Sequence, residues 1–161
     1  MKIADSALDL IGNTPLVRLG RIAQRHGIEP VLAKLEKCNP AGSAQDRVAL
    51  SMVLDAEEKG LLRPGATIVE PTSGNTGVGL AMVAALRGYS LVLTMPASMS
   101  VERQKLLKAL GARIELTPAQ AGMGGAVARA EEILRETPGA FMPSQFDNPA
   151  NPAAHAQTAR E

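Results

Sequence analysis

The 161-residue sequence contains no tryptophan and only three aromatic residues, Tyr89, Phe141 and Phe146. Its 17 basic and 16 acidic residues nearly cancel, and the basic residues form no block. Proteins that bind nucleic acid use a basic surface for the phosphates, and those that bind single strands add aromatic platforms for the bases. The composition therefore argues against a nucleic-acid partner.

Cysteine is almost absent as well: Cys38 is the only one, which excludes an intrachain disulfide. A lone thiol is most often an inert residue, so we expect Cys38 to be buried or semi-buried. His26 and His155 are the only histidines, which leaves few Cys/His pairs for nucleophilic catalysis and no zinc-binding spacing. No metal site is predicted.

Long apolar runs are also missing, and charged residues interrupt the apolar N-terminus, unlike a secretory signal peptide. Hydrophobic residues make up 45% of the chain and charged residues 20%, the balance of a soluble globular protein. We therefore expect a cytoplasmic protein without membrane contact. A chain of 161 residues suits one well-cored unit, spanning residues 1–161.

Strand-like and helix-like segments alternate along most of the chain. Residues 11–19 are predicted as a turn and then a strand, and further strands are predicted at 31–36, 66–70, 90–96, 113–117 and 141–145. Helical patterns follow Ser43, Thr76, Ser100 and Gly125, and the tail from Asn148 reads as a turn and a helix fragment. This order predicts an α/β fold: a mostly parallel sheet with helices on both faces, in three layers, αβα.

Two helix starts carry more detailed expectations. Ser43 and Asp46 resemble a capping box for a helix with apolar positions at Ala49, Met52, Val53 and Ala56. The glycine cluster Gly122–Gly125 lacks the spacing of a phosphate-binding motif, so we interpret it as a flexible loop before the next helix.

The stretch Pro71–Gly77, PTSGNTG, joins a predicted strand to a predicted apolar helix. The first N–H groups of a helix have no partner within it, and the helix dipole favours a negative charge there, so a carboxylate or phosphate fits such a position. Ser73, Asn75 and Thr76 add side-chain donors, and the two glycines leave the backbone open. An ordinary turn with a Ser or Asn N-cap explains the same residues, so both interpretations stay open.

Both the Ser43 loop and the Thr72 loop follow predicted strands. Ligands of open parallel sheets bind beyond the carboxyl ends of the strands. We therefore expect the two loops to converge there.

Several strings occur in the order known from one enzyme family. They are IGNTPLVRL, NPAGS, EPTSGNTG, LTMP, MSVERQKLLKALGA and QFDNPANPAAH. Together they resemble cysteine synthase (O-acetylserine sulfhydrylase), a fold type II pyridoxal-phosphate enzyme, over nearly the whole chain. The resemblance implies a homodimer that uses pyridoxal phosphate to replace the acetate of O-acetylserine with sulfide, giving L-cysteine.

The resemblance also assigns site residues. The substrate carboxylate is expected to bind the loop residues and one later glutamine, namely Thr72, Ser73, Gly74, Thr76 and Gln145. Asn75, in the same loop, is expected to face the 3′ oxygen of the cofactor.

One position departs from the family. The loop is typically NPxGSxKDR, and its lysine forms the Schiff base with the cofactor, whereas this sequence has Gln45 there. A carboxamide is neither a nucleophile nor a base at neutral pH. The change could be an engineered inactivation, mark a natural non-catalytic homologue, or shift the role to Lys34 or Lys37. The third reading conflicts with the positioning that catalysis needs, because both lysines lie on the preceding strand or at its end.

By the same resemblance, residues 1–38 are N-terminal strands that pack on a large domain, 39–147 are the small substrate-loop domain, and 148–161 begin the large domain. We expect the rest of that domain, with its loop for the cofactor phosphate, to be missing from this chain. Two hypotheses follow: a cysteine synthase-like enzyme that is inactive or crippled, or a non-catalytic truncated homologue that serves as a small-carboxylate binding or protein-interaction module.

The two N-terminal strands are apolar and would lack the cover of the large domain. Exposed apolar strands recruit partners, so we expect a symmetric homodimer through them. The alternative is that this segment folds back on its own sheet and hides these side chains. The residues concerned are Leu16, Val17, Leu19, Val31, Leu32 and Leu35.

Overall fold

The computed structural model describes residues 3–161. The helices are α1 (Gly20–His26), α2 (Gln45–Glu58), α3 (Asn75–Arg87), α4 (Val101–Ala109), α5 (Gly122–Glu136) and α6 (Ala150–Thr158). The strands are β1 (Leu16–Arg18), β2 (Leu32–Lys34), β3 (Thr67–Pro71), β4 (Ser90–Pro96) and β5 (Arg113–Thr117).

The main sheet is parallel and has the strand order β3-β4-β5. Phe141 lies along the other edge of β3, where its N–H donates to the Thr67 carbonyl and its carbonyl accepts from the Val69 N–H, both at 2.9 Å. The chain thus runs outwards from β3 to β5 and then returns to the opposite side of β3. This reversal places a topological switch point at the carboxyl end of β3.

Helices cover both faces of this sheet, as predicted. On one face Val69 and Val92 pack against Ala130 and Ile133 of α5. On the other face the core joins side chains of β3 and β4 to α2, α3 and α6 and to Leu107 of α4. Successive residues of β4 alternate between these two cores, because side chains of a strand point to opposite faces. The predicted three-layer α/β fold is confirmed.

The start of α2 follows the predicted turn with altered partners. The Ser43 hydroxyl accepts from the Gln45 N–H at 3.1 Å and donates to the Asp46 carboxylate at 3.2 Å. The other Asp46 oxygen accepts from the Ala41 N–H at 2.6 Å. The four predicted apolar positions of this helix are all buried: Ala49, Met52, Val53 and Ala56.

Several local predictions are wrong. The cluster Gly122–Gly125 is the first turn of α5 rather than a loop, and an added Cβ at Gly125 would lie 2.5 Å from Ala121 Cβ, which explains a glycine there. The predicted strand at 141–145 is reduced to the single bridge of Phe141, because Pro143 has no N–H to donate and Ser144 has a positive φ of 53°. Cys38 is exposed rather than buried.

The N-terminal segment does not join the main sheet. β1 and β2 pair antiparallel in a separate two-stranded sheet, with α1 between them in sequence. Leu16 is 54% exposed and Leu32 is 53% exposed. The alternative in which this segment hides its apolar side chains is therefore wrong, although Leu19 is half-buried.

A cluster of ion pairs around Arg47 connects the N-terminal segment to α2. Arg47 is 7% exposed, and its guanidinium donates to Glu36 at 2.7 Å and to Glu161 at 2.6 Å. Hydrogen bonds from Arg47 hold the pKa of Glu161 well below its ordinary range. A depressed carboxyl pKa stabilises the fold at neutral pH, and that contribution is lost as the pH falls and the carboxyl takes up a proton.

Candidate functional site

A cavity of about 510 Å³ opens at the carboxyl end of β3, at the switch point of the sheet. Its walls are the loop after β3, the segment after Phe141 and the first three turns of α5. This volume is typical of a site for a small molecule. Five of the predicted site residues line it together: Thr72, Ser73, Gly74, Thr76 and Gln145.

The loop after β3 leads directly into α3. Gly74 is the N-cap of the helix, and no side chain caps it. The Thr72 hydroxyl accepts from the Gly74 N–H at 3.3 Å, which tightens the turn before the helix begins. The interpretation as an ordinary Ser or Asn N-cap is therefore wrong. Among residues 3–161 the N–H groups of Asn75 and Thr76 have no hydrogen-bond acceptor, so these two remain available to an anion.

A side-chain hydrogen bond closes the cavity between two distant parts of the chain. The buried Thr76 hydroxyl donates to Gln145 Oε1 at 2.7 Å, although the two residues are 69 positions apart. This bond joins the start of α3 to the segment after Phe141. The Thr76 hydroxyl and the Gln145 side-chain amide are therefore held in place on two walls of the cavity.

Asn75 and Gln45 do not line this cavity. Asn75 is exposed and borders a neighbouring depression together with Ala41 and Ser100. Ala41 belongs to the loop that ends in Ser43, so this loop lies beside the start of α3. The predicted reason, that both loops follow strands of one parallel sheet, is wrong, because β2 belongs to the separate two-stranded sheet. Gln45, the first residue of α2, has a buried Oε1 atom without a hydrogen-bond partner in the described part of the chain.

These residues do not fit covalent attachment of pyridoxal phosphate at position 45, because Gln45 has no amine and its buried amide oxygen is unsatisfied. Lys34 does not replace it, since its Nζ donates to the Thr14 carbonyl at 3.1 Å and pairs with Glu161 at 3.0 Å. Lys37 is exposed on a 3-10 turn, Glu36–Cys38. A small carboxylate, in contrast, fits the uncapped start of α3.

Glu70 is a site residue that the analysis of the sequence missed. It is 1% exposed at the end of β3, and its carboxylate accepts from the N–H groups of Ser144 at 2.9 Å and Gln145 at 3.0 Å. Burial raises the pKa of the Glu70 carboxyl, while the N–H donors act in the opposite direction. The signal in the sequence was an acidic residue within a strand that is otherwise apolar.

Two other classes of site find no support in the described residues. Residues 3–161 contain no group of three or more His, Cys, Asp or Glu side chains placed to hold a metal ion. Over the same residues, no helix is both long and apolar enough to cross a bilayer.

Curated relatives match nearly all of this chain. A cysteine synthase of a Flavobacterium species is 53% identical over 95% of the chain and 49% of its own length. Cysteine synthase A of Escherichia coli is 54% identical over 92% of the chain and 45% of its own length. The chain thus spans about half the length of the curated relatives it matches.

Solved structures give the same result for the fold. A cysteine synthase of Entamoeba histolytica superposes with a TM-score of 0.93 at 43% identity, over 99% of the chain and 48% of its own. An O-ureido-L-serine synthase superposes with a TM-score of 0.91 at 52% identity, over 98% of the chain and 49% of its own.

A family model described as pyridoxal-phosphate dependent enzyme matches residues 7–161. The predicted resemblance to the N-terminal half of cysteine synthases is therefore confirmed. On this match and these identities, the chain belongs to the pyridoxal-phosphate dependent enzyme family.

Proposed function

We propose that this chain forms the substrate-carboxylate side of a cysteine synthase-like active site. In this proposal the N–H groups and side chains of residues 72–76, with Gln145, bind the carboxylate of a small amino acid such as O-acetylserine. The observation that carries it is the start of α3, which has no side-chain cap and opens into the cavity that Thr76 and Gln145 close. An anion at this position would satisfy the free N–H groups and interact favourably with the helix dipole.

The reaction we infer for a complete site is the β-replacement of O-acetylserine with sulfide to give L-cysteine. Pyridoxal phosphate supplies the electron sink for such chemistry, while the protein binds and orients the substrate. We infer Asn75 as a contact to the cofactor. Because Gln45 offers neither a nucleophile nor a base, we propose that this chain orients substrate but does not complete turnover.

A second candidate function is that of a non-catalytic module that binds small carboxylates or another protein. The unsatisfied oxygen of Gln45 favours it, since nothing in the described residues adapts that position to catalysis. Both functions use the same carboxylate site. They differ in whether a lysine at position 45 would bring cofactor chemistry back.

Carboxylate binding can be tested by NMR titration of the chain with L-methionine or O-acetyl-L-serine. We expect the amide signals of Ser73, Gly74, Thr76 and Gln145 to shift at millimolar ligand, because these residues line the proposed site. Thr76→Val removes the hydroxyl that donates to Gln145, and we expect it to weaken binding about tenfold, in line with the loss of one buried hydrogen bond.

Two controls make this titration specific. Thr137→Val changes a threonine that follows the end of α5, away from the cavity, and should leave the affinity unchanged. The methyl ester of the same amino acid lacks the carboxylate and should not bind. Equal binding of acid and ester, or no shift at Ser73, Gly74 and Thr76, would sink the proposed function.

We also propose that the chain self-associates through its N-terminal two-stranded sheet, formed by β1 and β2. Leu16 and Leu32 are more than half exposed there, and exposed apolar strands favour pairing with a second copy. Light scattering at micromolar concentration should give about twice the chain mass of 16.8 kDa. Leu32→Asp should shift the measured mass to that of a monomer. Leu61→Asp, at a 59% exposed site outside the two-stranded sheet, should leave the mass unchanged. A monomer in the unmodified chain would refute this proposal.

A further inference from the structure

Glu70 places a carboxyl group in one of the least accessible parts of the fold. Its side chain is 1% exposed at the carboxyl end of β3, directly before the loop that enters α3. Within residues 3–161 no ion pair compensates it; its hydrogen bonds come from the backbone N–H groups of Ser144 and Gln145 and from the Gln145 side chain. A buried carboxylate without a cation costs free energy, so packing alone does not explain an acid at this position.

The backbone that Glu70 binds has an unusual conformation. Ser144 has a φ of 53°, which residues other than glycine rarely adopt, and it follows Pro143. The segment is also held from the other side, because Asn148 donates its side-chain amide to the Pro143 carbonyl at 2.8 Å. Both N–H groups of this turn point to the same carboxylate, with one oxygen for each.

This turn carries the glutamine of the proposed site. The Gln145 N–H is bound by Glu70, and the Gln145 side chain accepts from Thr76 across the cavity at 2.7 Å. The Gln145 carbonyl accepts from the Asn151 side chain at 2.7 Å, so the N–H, the side chain and the carbonyl of Gln145 all have hydrogen-bond partners. A change in the Glu70 carboxylate would therefore release the backbone that sets the position of the Gln145 amide.

We propose that Glu70 is a positioning residue for the carboxylate site. By accepting both N–H groups of the Ser144 turn, it holds Gln145 against Thr76 and gives the cavity its shape before a ligand arrives. Sites that are preorganised in this way lose less free energy in ordering their groups when a ligand binds. The inference rests on the proposed function, because it concerns affinity for the same carboxylate.

The unmodified chain gives the first test. Hydrogen bonds to a carboxylate are stronger than those to a neutral acceptor. The amide protons of Ser144 and Gln145 should therefore resonate at low field and exchange slowly with solvent. Ordinary shifts and fast exchange at both amides would overturn the inference without reference to any variant.

Glu70→Gln gives the second test, because it removes the charge and one of the two acceptors at nearly constant volume. We expect both amide signals to move and the affinity for L-methionine to fall about tenfold, while the melting temperature changes little. The melting temperature should hold because burial raises the Glu70 pKa, which means that the ionised form costs stability at neutral pH. A purely structural role would instead lower the melting temperature and leave the affinity of the folded protein intact.

Further variants keep this test decisive. Glu132→Gln removes an exposed carboxylate on α5 that is paired with Arg129, and it should change neither the two amide signals nor the affinity. If Glu70→Gln does not fold, Glu70→Asp serves instead, since its shorter side chain keeps the charge but reaches fewer donors, and an intermediate loss of affinity is expected. Unchanged affinity in a folded Glu70 variant would overturn only this inference. Failure of the unmodified chain to bind would refute the proposed function itself.

Discussion

Replacing Gly79 with alanine is expected to lower the free energy of unfolding by about 2 kcal/mol, the usual scale for forcing an atom into a packed interior. Alanine favours a helix over glycine by about 1 kcal/mol, so propensity alone predicts the opposite sign. The packing decides the outcome: an added Cβ at Gly79 would lie 2.9 Å from the Gln45 carbonyl oxygen and 3.0 Å from Ala49 Cβ. Both neighbours belong to α2, so α2 and α3 would have to separate.

Gly124→Ala is the matched control for this substitution. Gly124 is also helical, in α5, but no atom outside its own helix backbone lies within 4 Å of an added Cβ. We expect Gly124→Ala to raise the free energy of unfolding by about 0.5 kcal/mol. Urea denaturation of both variants measures whether the free energy of unfolding falls or rises. A gain in stability for Gly79→Ala would show that α2 and α3 are not in close contact there.

The contact at Gly79 also bears on the site. It joins the first residue of α2, Gln45, to the helix whose start forms the proposed carboxylate site. Separation of the two helices would move position 45 away from the loop after β3. The distance between the start of α2 and the start of α3 is therefore set by a glycine outside the cavity.

Most of the layered fold could be predicted because its elements have strong periodicity. The apolar run before Arg87 and Gly88 predicted α3, and Gly88 ends that helix in the left-handed conformation, with a φ of 78°. A helical pattern was predicted after Ser100, and the Ser100 hydroxyl caps α4 by accepting from the Arg103 N–H. In each case the apolar pattern and the capping residue predict the same helix, and the tertiary contacts do not change it.

The failures occur where tertiary contacts decide the structure. α1 was not predicted, because its seven residues bury only Ala23 and show no apolar stripe. Leu106 on α4 and Val127 on α5 stand at apolar positions with helical spacing to their apolar neighbours, yet they are 49% and 40% exposed. Both helices bury narrow stripes, centred on Leu107 and on Ala130, so helical spacing alone could not tell which neighbouring side chains face the core.

The site was predictable in part. Chemistry alone left the start of α3 open between an anion site and an ordinary capped turn, and the order of strands predicted that it lies at the carboxyl end of the sheet. Gln145 came only from the family resemblance, since no local pattern links it to a threonine 69 positions earlier. Glu70 was missed because its role depends on N–H groups from a turn that sequence patterns had predicted as a strand.

The substitution Gln45→Lys is expected to have the largest effect. The unmodified chain should not bind the cofactor covalently at position 45, whereas the variant should do so measurably. After incubation with pyridoxal phosphate and reduction with borohydride, mass spectrometry should find a pyridoxyl adduct on the peptide that contains position 45 in the variant. The unmodified chain should show none there, because a carboxamide does not attack an aldehyde. The amide oxygen of Gln45 is buried without a partner, and burial lowers the pKa of a lysine amine, so that more of it is the uncharged nucleophile.

The control variant and the alternative residues make the labelling decisive. Gln157→Lys places the same substitution on the exposed surface of α6 and should gain no adduct beyond the background of surface lysines such as Lys37. An adduct concentrated on Lys34 or Lys37 of the unmodified chain would show that another lysine has taken the role. If Gln45→Lys gains no adduct while it still binds L-methionine, position 45 is not where the cofactor attaches, and the second candidate function, a carboxylate-binding module, is the one supported. If the adduct forms, position 45 lies where the cofactor can attach, and Gln45 is what prevents that attachment in this chain.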